Sequence, residues 1–211
     1  MRQAPSLPSR YRTHAEVPAS YVKAQIEAVM TDINPAAIKI GMINDVDIVS
    51  AIASCIKKYN PKFVVFDPVM VSTSGCKLIE DKAIDAIKNE LIPLSTIITP
   101  NLSEAKVLTG DEIGNAESMI VAGKKILDYG CHSVLIKGGH LEGNDMCDIL
   151  CVKGEDTPYI YKADKITSNN THGTGCTLSS AIATYLALGH TLQEAAKLAK
   201  DYVHKGISSG K

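Results

Sequence analysis

One segment of the chain has residue types and spacing that suit chemistry: a glycine-rich loop that runs into a helix. Gly173, Thr174, Gly175 and Cys176 stand directly before the apolar helical pattern of residues 178–189. The first amides of a helix have no partners inside it, and the helix dipole adds positive charge there. Glycines let the backbone approach a ligand closely. The loop therefore predicts a phosphate site; the alternative is a plain helix cap around a small buried thiol.

Cys176 adds a reactive group to this loop. A helix amino terminus favours the thiolate form, so Cys176 could act as a base or as part of the anion cradle. The neighbouring His172 is interpreted as a hydrogen-bonding loop residue rather than as a general base.

Polar side chains with complementary chemistry follow three separate predicted strands. Asp67 ends one apolar run, Asn101 with Glu104 follows a second, and Lys137 follows a third. In parallel α/β sheets the carboxyl ends of the strands open on one edge, where ligands bind. We therefore expect two carboxylates, a lysine and the anion loop to meet in one cleft.

That set of groups suits phosphoryl transfer, which depends mainly on positioning and electrostatics. Asp67 and Glu104 are candidate Mg²⁺ ligands, directly or through water, because the ion prefers oxygen donors and keeps part of its water shell. Lys137 would neutralise the moving phosphoryl group. The amides of the loop from Gly173 to Cys176 would receive charge as the bond breaks.

Each of these residues alone also has a structural interpretation. Asp67 before a proline is typical of an Asx turn, and Glu104 in the first turn of a helix complements its dipole. Lys137 before two glycines suits a solvated loop. Met42 and Val69 suit the hydrophobic core. Their expected convergence at one sheet edge favours the functional interpretation.

The elements that must position these residues alternate along the chain. Helices are predicted over residues 17–33, 45–59, 79–91, 103–108, 116–129, 178–188 and 192–207. Strands are predicted over residues 37–42, 63–66, 96–98, 133–136, 148–152 and 159–161, the last two as a hairpin. The first helix carries an apolar stripe of Tyr21, Val22, Ile26, Val29, Met30 and Ile33. The alternation predicts one α/β domain with a mostly parallel sheet.

Composition and charge narrow the class of protein. The 211 residues are 45% hydrophobic and 21% charged, with a net charge of -1. The sequence contains no basic cluster that would indicate nucleic-acid binding. It also contains no stretch that is long and apolar enough for a secretory signal or a membrane span. The six scattered cysteines are therefore expected to be reduced thiols in the cytoplasm. Cys147 and Cys151 lack the spacing of a metal site and are expected to pack on one face of a strand.

Four motifs in order resemble those of the hydroxymethylpyrimidine/phosphomethylpyrimidine kinases of thiamine biosynthesis, in the ribokinase-like superfamily. They are Asp67-Pro68-Val69-Met70-Val71-Ser72-Thr73-Ser74-Gly75, Thr99-Pro100-Asn101-Leu102-Ser103-Glu104-Ala105, Ile136-Lys137-Gly138-Gly139-His140 and Thr171-His172-Gly173-Thr174-Gly175-Cys176-Thr177-Leu178-Ser179-Ser180-Ala181. The resemblance implies a three-layer α/β/α fold. It also implies phosphorylation of 4-amino-5-hydroxymethyl-2-methylpyrimidine and of its monophosphate, with ATP and Mg²⁺.

The resemblance also implies roles for individual residues. Asp67 and Glu104 would serve the Mg²⁺–phosphate network, and Lys137 would contact the phosphates. The anion hole and ATP site would comprise Asn101, Gly173, Thr174 and Gly175. Met42 and Val69 would line the pyrimidine pocket. Cys176 stands where sugar kinases of the superfamily carry a catalytic aspartate.

The front of the chain departs from the family. Residues 1–16 do not match its first strand and Gly/Ser-rich substrate loop, so residues 17–211 are expected to form an N-terminally truncated ribokinase-like domain. A sheet without that strand would expose an edge and apolar surface. A homo-oligomer is therefore expected.

Two other functions stay open from the sequence. Pyridoxine/pyridoxal kinases share the cysteine loop, and assays of ATP consumption with the two alcohols would separate them from the pyrimidine kinases. A non-catalytic nucleotide- or pyrimidine-binding remnant would show thermal stabilisation by ligand without turnover. A dinucleotide-binding Rossmann domain is excluded because no GxGxxG follows an early strand.

Overall fold

The computed structural model describes residues 17–71, 78–139, 146–163, 166 and 172–209. Several predicted features lie outside these residues, namely residues 1–16, the Ser/Thr/Gly loop at 72–75, His140 and Thr171. Within the described part, no helix is long and apolar enough to cross a bilayer.

In the part of the chain that the structure describes, six strands form one sheet in the spatial order β1 to β6. Their bounds are β1 Ala37–Ile40, β2 Phe63–Phe66, β3 Ile97–Ile98, β4 Ser133–Ile136, β5 Met146–Val152 and β6 Tyr159–Ala163. The first four strands pair in parallel, and β5 and β6 extend the sheet as an antiparallel hairpin. The sheet is therefore mostly parallel, as the alternation of elements predicted.

Helices cover both faces of this sheet. Their bounds are α1 Ala19–Asp32, α2 Val46–Tyr59, α3 Asp81–Ala86, α4 Leu102–Thr109, α5 Ala116–Leu127, α6 Thr174–Ala187 and α7 Leu192–Ser209. Alternate strand residues face opposite ways: Val64 and Phe66 pack in the core with α2 to α5, whereas Val65 packs with α6 and α7. The three-layer α/β/α architecture predicted from the sequence is confirmed.

Short polar residues set several helix ends. The Asp45 side chain accepts a hydrogen bond from the Ile48 amide at 2.9 Å and starts α2, as predicted.

The predicted helix over residues 79–91 is less regular than expected. It runs as α3, a π-helical turn at Ile87–Leu91 and a 3₁₀ turn at Ile92–Leu94. Pro93 lies in that last turn, and proline has no amide hydrogen to continue a helix.

The apolar stripe predicted on α1 is only partly buried. Met30 is buried, whereas Tyr21, Val29 and Ile33 are 58%, 46% and 67% exposed. The stripe is therefore present on one side of the helix, but most of it is not covered by the described residues. Among the described elements α1 packs mainly on α2, so only one narrow side of the helix finds apolar neighbours.

Candidate active site

The centre of the candidate site is a buried ion pair between Asp67 and Lys137. The Lys137 ammonium lies 2.8 Å from Asp67 Oδ1, and the two side chains are 16% and 2% exposed. Thr99 donates its hydroxyl to the same oxygen at 3.1 Å, and Ser179 donates to Oδ2 at 3.3 Å. A carboxylate held by three donors is fixed in orientation, so the lysine head is fixed with it.

Backbone bonds between neighbouring strands bring these residues together. The Thr99 amide bonds to Phe66 O at 2.9 Å, and the Lys137 amide bonds to Pro100 O at 2.9 Å. These bonds continue the parallel ladders just past the ends of the strands. Asp67, Thr99 and Lys137 therefore stand side by side at one carboxyl edge of the sheet, where the sequence placed the cleft.

Glu104 is buried next to this pair and also caps a helix. It is 2% exposed, and its Oε2 accepts the Asn101 amide at 2.7 Å while Asn101 Oδ1 accepts the Glu104 amide at 2.9 Å. Burial raises the pKa of Glu104 to about 7, against the lowering influence of Lys137; Asp67 raises it slightly further. Glu104 thus stands in the first turn of α4, as its structural interpretation expected, and it also caps the helix. Its carboxyl group lies in the field of the ion pair as well.

The glycine-rich loop approaches the same ion pair through the start of α6. Gly173 has a φ of 81°, a conformation that side chains disfavour. A methyl group at Gly175 would lie 3.2 Å from the Lys137 ammonium and 3.9 Å from Asp67 Oδ2. Glycine at position 175 therefore allows the helix to lie against the lysine. The predicted meeting of the distant segments is confirmed.

The start of α6 also has the features of an anion site. Its first regular helical bond runs from the Thr177 amide to Gly173 O at 2.9 Å. No side chain among the described residues caps this end. The early amides of Gly175 and Cys176 therefore precede the hydrogen-bonded part of the helix, and they carry the positive end of its dipole.

Three further predicted residues lie near the same edge. Cys176 is exposed in the first turn of α6. Met42 follows β1, is 50% exposed and lines an apolar cavity of about 420 Å³ between α1, β1 and α2. Val69 follows β2 and is half-buried. Neither residue of the ion pair lines that cavity, nor does Gly175, so the roles of Cys176, Met42 and Val69 stay predictions.

The carboxylates fit Mg²⁺ better through water than directly. The described residues contain no group of three or more His, Cys, Asp or Glu side chains that could hold a metal ion. Asp67 and Glu104 supply hard oxygen donors, but both already accept protein hydrogen bonds. Mg²⁺ commonly keeps several waters and takes only one or two carboxylates plus phosphate oxygens.

Cys147 and Cys151 are both buried in β5 and pack on the same side of the sheet.

Four residues of the site region were not identified as functional from the sequence. Thr99 and Ser179 orient Asp67, whereas Asp148 and Lys200 form a second buried ion pair nearby. Thr99 stood inside a recognised motif, so its position was a usable signal. Asp148 was also detectable as a single charge inside the apolar run of β5. Ser179 also stood inside a recognised motif, whereas Lys200 carried no local signal.

Comparison with known proteins places the chain in a family. The family model for phosphomethylpyrimidine kinase matches residues 8–211. The hydroxymethylpyrimidine/phosphomethylpyrimidine kinase of Rhizobium meliloti is 43% identical over 195 residues, which cover 92% of this chain and 72% of that relative.

Solved structures agree with this assignment. A phosphomethylpyrimidine kinase from Clostridium difficile is 44% identical, with a TM-score of 0.80 over 91% of this chain and 78% of that one. The pyridoxal kinase of Staphylococcus aureus in complex with AMP-PCP and pyridoxal is 31% identical. Its TM-score is 0.84 over 92% of this chain and 70% of that one. The match of the family model over nearly the whole sequence, together with these relatives, shows that the chain belongs to the phosphomethylpyrimidine kinase family.

Proposed function

We propose that this protein phosphorylates 4-amino-5-hydroxymethyl-2-methylpyrimidine and its monophosphate, using ATP, in thiamine biosynthesis. The observation that carries the proposal is the approach of α6 to the buried ion pair, with Gly175 beside Lys137. A lysine and a helix amino terminus that converge on one point suit a phosphate chain. Family membership supplies the substrate class.

Each residue at the edge has a proposed role in this transfer. In the first step the hydroxyl oxygen of the pyrimidine attacks the γ-phosphorus, and in the second a phosphate oxygen of the monophosphate does so. In both steps the bond from that phosphorus to the bridging oxygen of ADP breaks. Lys137, held by Asp67, neutralises charge on the transferred group. The amides from Gly173 to Gly175 form the anion hole, and electrostatic groups placed in advance lower the barrier most.

Cys176 is proposed to accept the proton of the substrate hydroxyl. Its exposed position in the first turn of α6, beside the proposed anion hole, supports this role. Cys176→Ala removes the acceptor without filling the site, so phosphorylation of the hydroxymethylpyrimidine is expected to slow about 10²-fold, a typical contribution of a general base. Phosphorylation of the monophosphate should slow less, because its attacking phosphate oxygen is already mostly ionised at about pH 7. Steady-state kinetics on each substrate measure this, with Cys55→Ala, a buried thiol of α2, as the control. Parent rates in both steps would remove the cysteine from the mechanism.

Mg²⁺ would be held by Asp67 and Glu104 through water, together with phosphate oxygens. When bound, the ion supplies positive charge that offsets the charge developing on the phosphates. Asn101, which caps α4 beside Glu104, is proposed to contact ATP. Met42 and Val69 are proposed to line the pyrimidine pocket, since both follow adjacent strands at this edge.

A pyridoxine/pyridoxal kinase is the second candidate function. The Staphylococcus aureus pyridoxal kinase has the higher TM-score, 0.84 against 0.80, although the phosphomethylpyrimidine kinase of Clostridium difficile has the higher identity, 44% against 31%. Side-by-side assays of ATP consumption with the hydroxymethylpyrimidine and with pyridoxal test the choice. We expect a higher kcat/KM for the pyrimidine. A preference for pyridoxal would reverse the assignment, and ligand-induced thermal stabilisation without turnover would identify a binding remnant.

We also propose a domain organisation and an assembly state for this chain. Residues 17–211 would form one ribokinase-like kinase domain, with residues 1–16 as a separate leading segment, working in the cytoplasm. A homo-oligomer is supported by the exposed apolar side chains of α1, among them Tyr21 and Ile33. Light scattering on the purified chain tests it, and a single protomer mass at working concentrations would contradict it.

A further inference from the structure

A second buried aspartate–lysine pair lies beside the proposed phosphate site. Asp148 in β5 is 8% exposed, and its Oδ2 lies 2.6 Å from the ammonium of Lys200 in α7. Its other oxygen, Oδ1, accepts the backbone amide of Gly138 at 2.9 Å. Gly138 directly follows Lys137, so the second pair is linked through one peptide unit to the lysine of the first.

The sheet register explains this placement. β5 runs antiparallel to β4, with Ile149 opposite Ile136. Asp148 therefore stands opposite Lys137, at the carboxyl edge of the parallel strands. Its side chain points to the face covered by α7, because Ile149 packs on the other side. On α7, Ala195, Ala196 and Ala199 are buried, and these small side chains let the helix bring Lys200 close to the sheet.

Each carboxylate oxygen of Asp148 has its own partner: one accepts the Gly138 amide, and the other pairs with Lys200. Gly138 is buried, and a buried amide without an acceptor is costly, about 1–3 kcal/mol. A buried carboxylate without a counter-charge is also costly. Lys200 supplies that counter-charge, so the carboxylate does not present an unbalanced negative charge beside the position proposed for the ATP phosphates.

We propose that Asp148 is a positioning residue for Lys137. It holds the direction of the backbone after Lys137 by accepting the Gly138 amide, and Lys200 neutralises its charge. The positioning itself rests only on the contacts of Asp148, whereas its effect on ATP rests on the proposed kinase function.

Two matched double variants separate the acceptor from the ion pair. D148N/K200M and D148L/K200M both lose the two charges, and only the asparagine can still accept the Gly138 amide. Replacing a buried ion pair with apolar groups of similar size is often neutral for stability, so both variants are expected to fold. The comparison therefore isolates one hydrogen bond.

Amide hydrogen exchange at Gly138, measured by NMR, is the deciding observation. Exchange in D148L/K200M should be roughly tenfold faster than in D148N/K200M, the factor expected for about 1.4 kcal/mol. The amide of Leu135 in β4 serves as the internal reference. Equal exchange at Gly138 in the two variants would overturn the proposal. Should D148L/K200M not fold, faster exchange in D148N/K200M than in the parent would overturn it as well.

Kinetics then link the position to catalysis. The kcat/KM for ATP should fall about tenfold in D148L/K200M and recover in D148N/K200M, measured well below their melting temperatures. Equal kinetics in two folded, active variants would show that Asp148 is only structural and would overturn the positioning role. A parent protein without turnover would instead contradict the proposed kinase function, and the exchange at Gly138 would still decide this inference.

Discussion

Two buried aspartate–lysine pairs stand at the same edge of the sheet, and they differ in what surrounds them. The Asp67–Lys137 pair has an N–O distance of 2.8 Å, with further donors from Thr99 and Ser179. The Asp148–Lys200 pair has a distance of 2.6 Å, and its carboxylate also accepts a backbone amide. Similar ion pairs can thus have different surroundings within one site.

The difference lies in where each lysine head points. Lys137 meets the start of α6, where the helix dipole and the first-turn amides favour an anion. Lys200 projects from α7 onto a carboxylate beneath the sheet edge. Burial alone therefore does not mark a functional lysine. The first-turn amides of α6 distinguish the pair that we propose to face phosphate.

The largest effects are expected when the lysine of each pair is replaced. Lys137→Met should lower kcat about 10³-fold, because one electrostatic contact made in the transition state is typically worth that much. Lys200→Met should lower the free energy of unfolding by about 3 kcal/mol, since it leaves a buried carboxylate unpaired, and should lower kcat far less. Steady-state kinetics and urea unfolding on both variants test this. Equal losses of kcat would show that the two pairs do not differ in function.

A smaller effect concerns Glu104, which lies beside the first pair and not beside the second. Burial raises its pKa from 4.5 to about 7. Because the folded-state pKa is the higher one, its contribution to stability is full below about pH 4.5 and is lost as pH rises through about 7. At about 1.4 kcal/mol per pKa unit, this shift gives a loss of at most about 3.5 kcal/mol.

The variant Glu104→Gln should remove this pH dependence, because glutamine cannot ionise and keeps an oxygen for the Asn101 amide. Urea unfolding of parent and variant at about pH 5 and about pH 8 measures it. Glu117→Gln, an exposed glutamate in the first turn of α5, is the control. An unchanged pH slope in Glu104→Gln would assign the dependence to another group.

The contact between α6 and the Asp67–Lys137 pair can be tested by substitution at Gly175. In Gly175→Ala the added methyl group would lie 3.2 Å from the Lys137 ammonium, which must then shift by a few tenths of an ångström. We expect kcat to fall roughly tenfold, since displacements of about 1 Å can cost about 10²-fold. Alanine favours a helix over glycine, so stability should not fall.

Gly206→Ala is the matched control for this variant. Gly206 lies in α7 with nothing within 4 Å of an added methyl group. It should stabilise the helix by about 1 kcal/mol and leave kcat unchanged. Thermal unfolding and kinetics on both variants measure the two effects. A parent-like kcat in Gly175→Ala would show that the close approach is not needed.

The smallest effect is expected at an exposed pair that contrasts with both buried ones. Lys58 and Glu27 join α2 to α1 at 2.9 Å, with side chains 58% and 32% exposed. Exposed pairs contribute little because water and salt screen them. Glu27→Gln should therefore leave both the melting temperature and kcat unchanged. A fall in melting temperature as large as that of Lys200→Met would show that α1 depends on this contact.

Much of the fold was predictable because its signals are local. The buried run from Phe63 to Phe66, the cap at Asp45 and the box of Asn101 with Glu104 all follow from short patterns. The stripe on α1 shows the limit of such patterns, because periodicity shows which residues share a face and not whether another element covers that face. Tyr21 and Ile33 share the periodicity of Met30, yet only Met30 is buried.

The sequence by itself determined the alternation of strands and helices, the glycine loop before α6 and the polar residues that follow the strands. Only the tertiary structure decided which atoms meet. Ser179 reaches Asp67 across 112 residues, and Lys200 reaches Asp148 across 52. Such pairs depend on how two helices pack on one face of the sheet. Local patterns do not encode that packing, because its energy comes from contacts between distant segments.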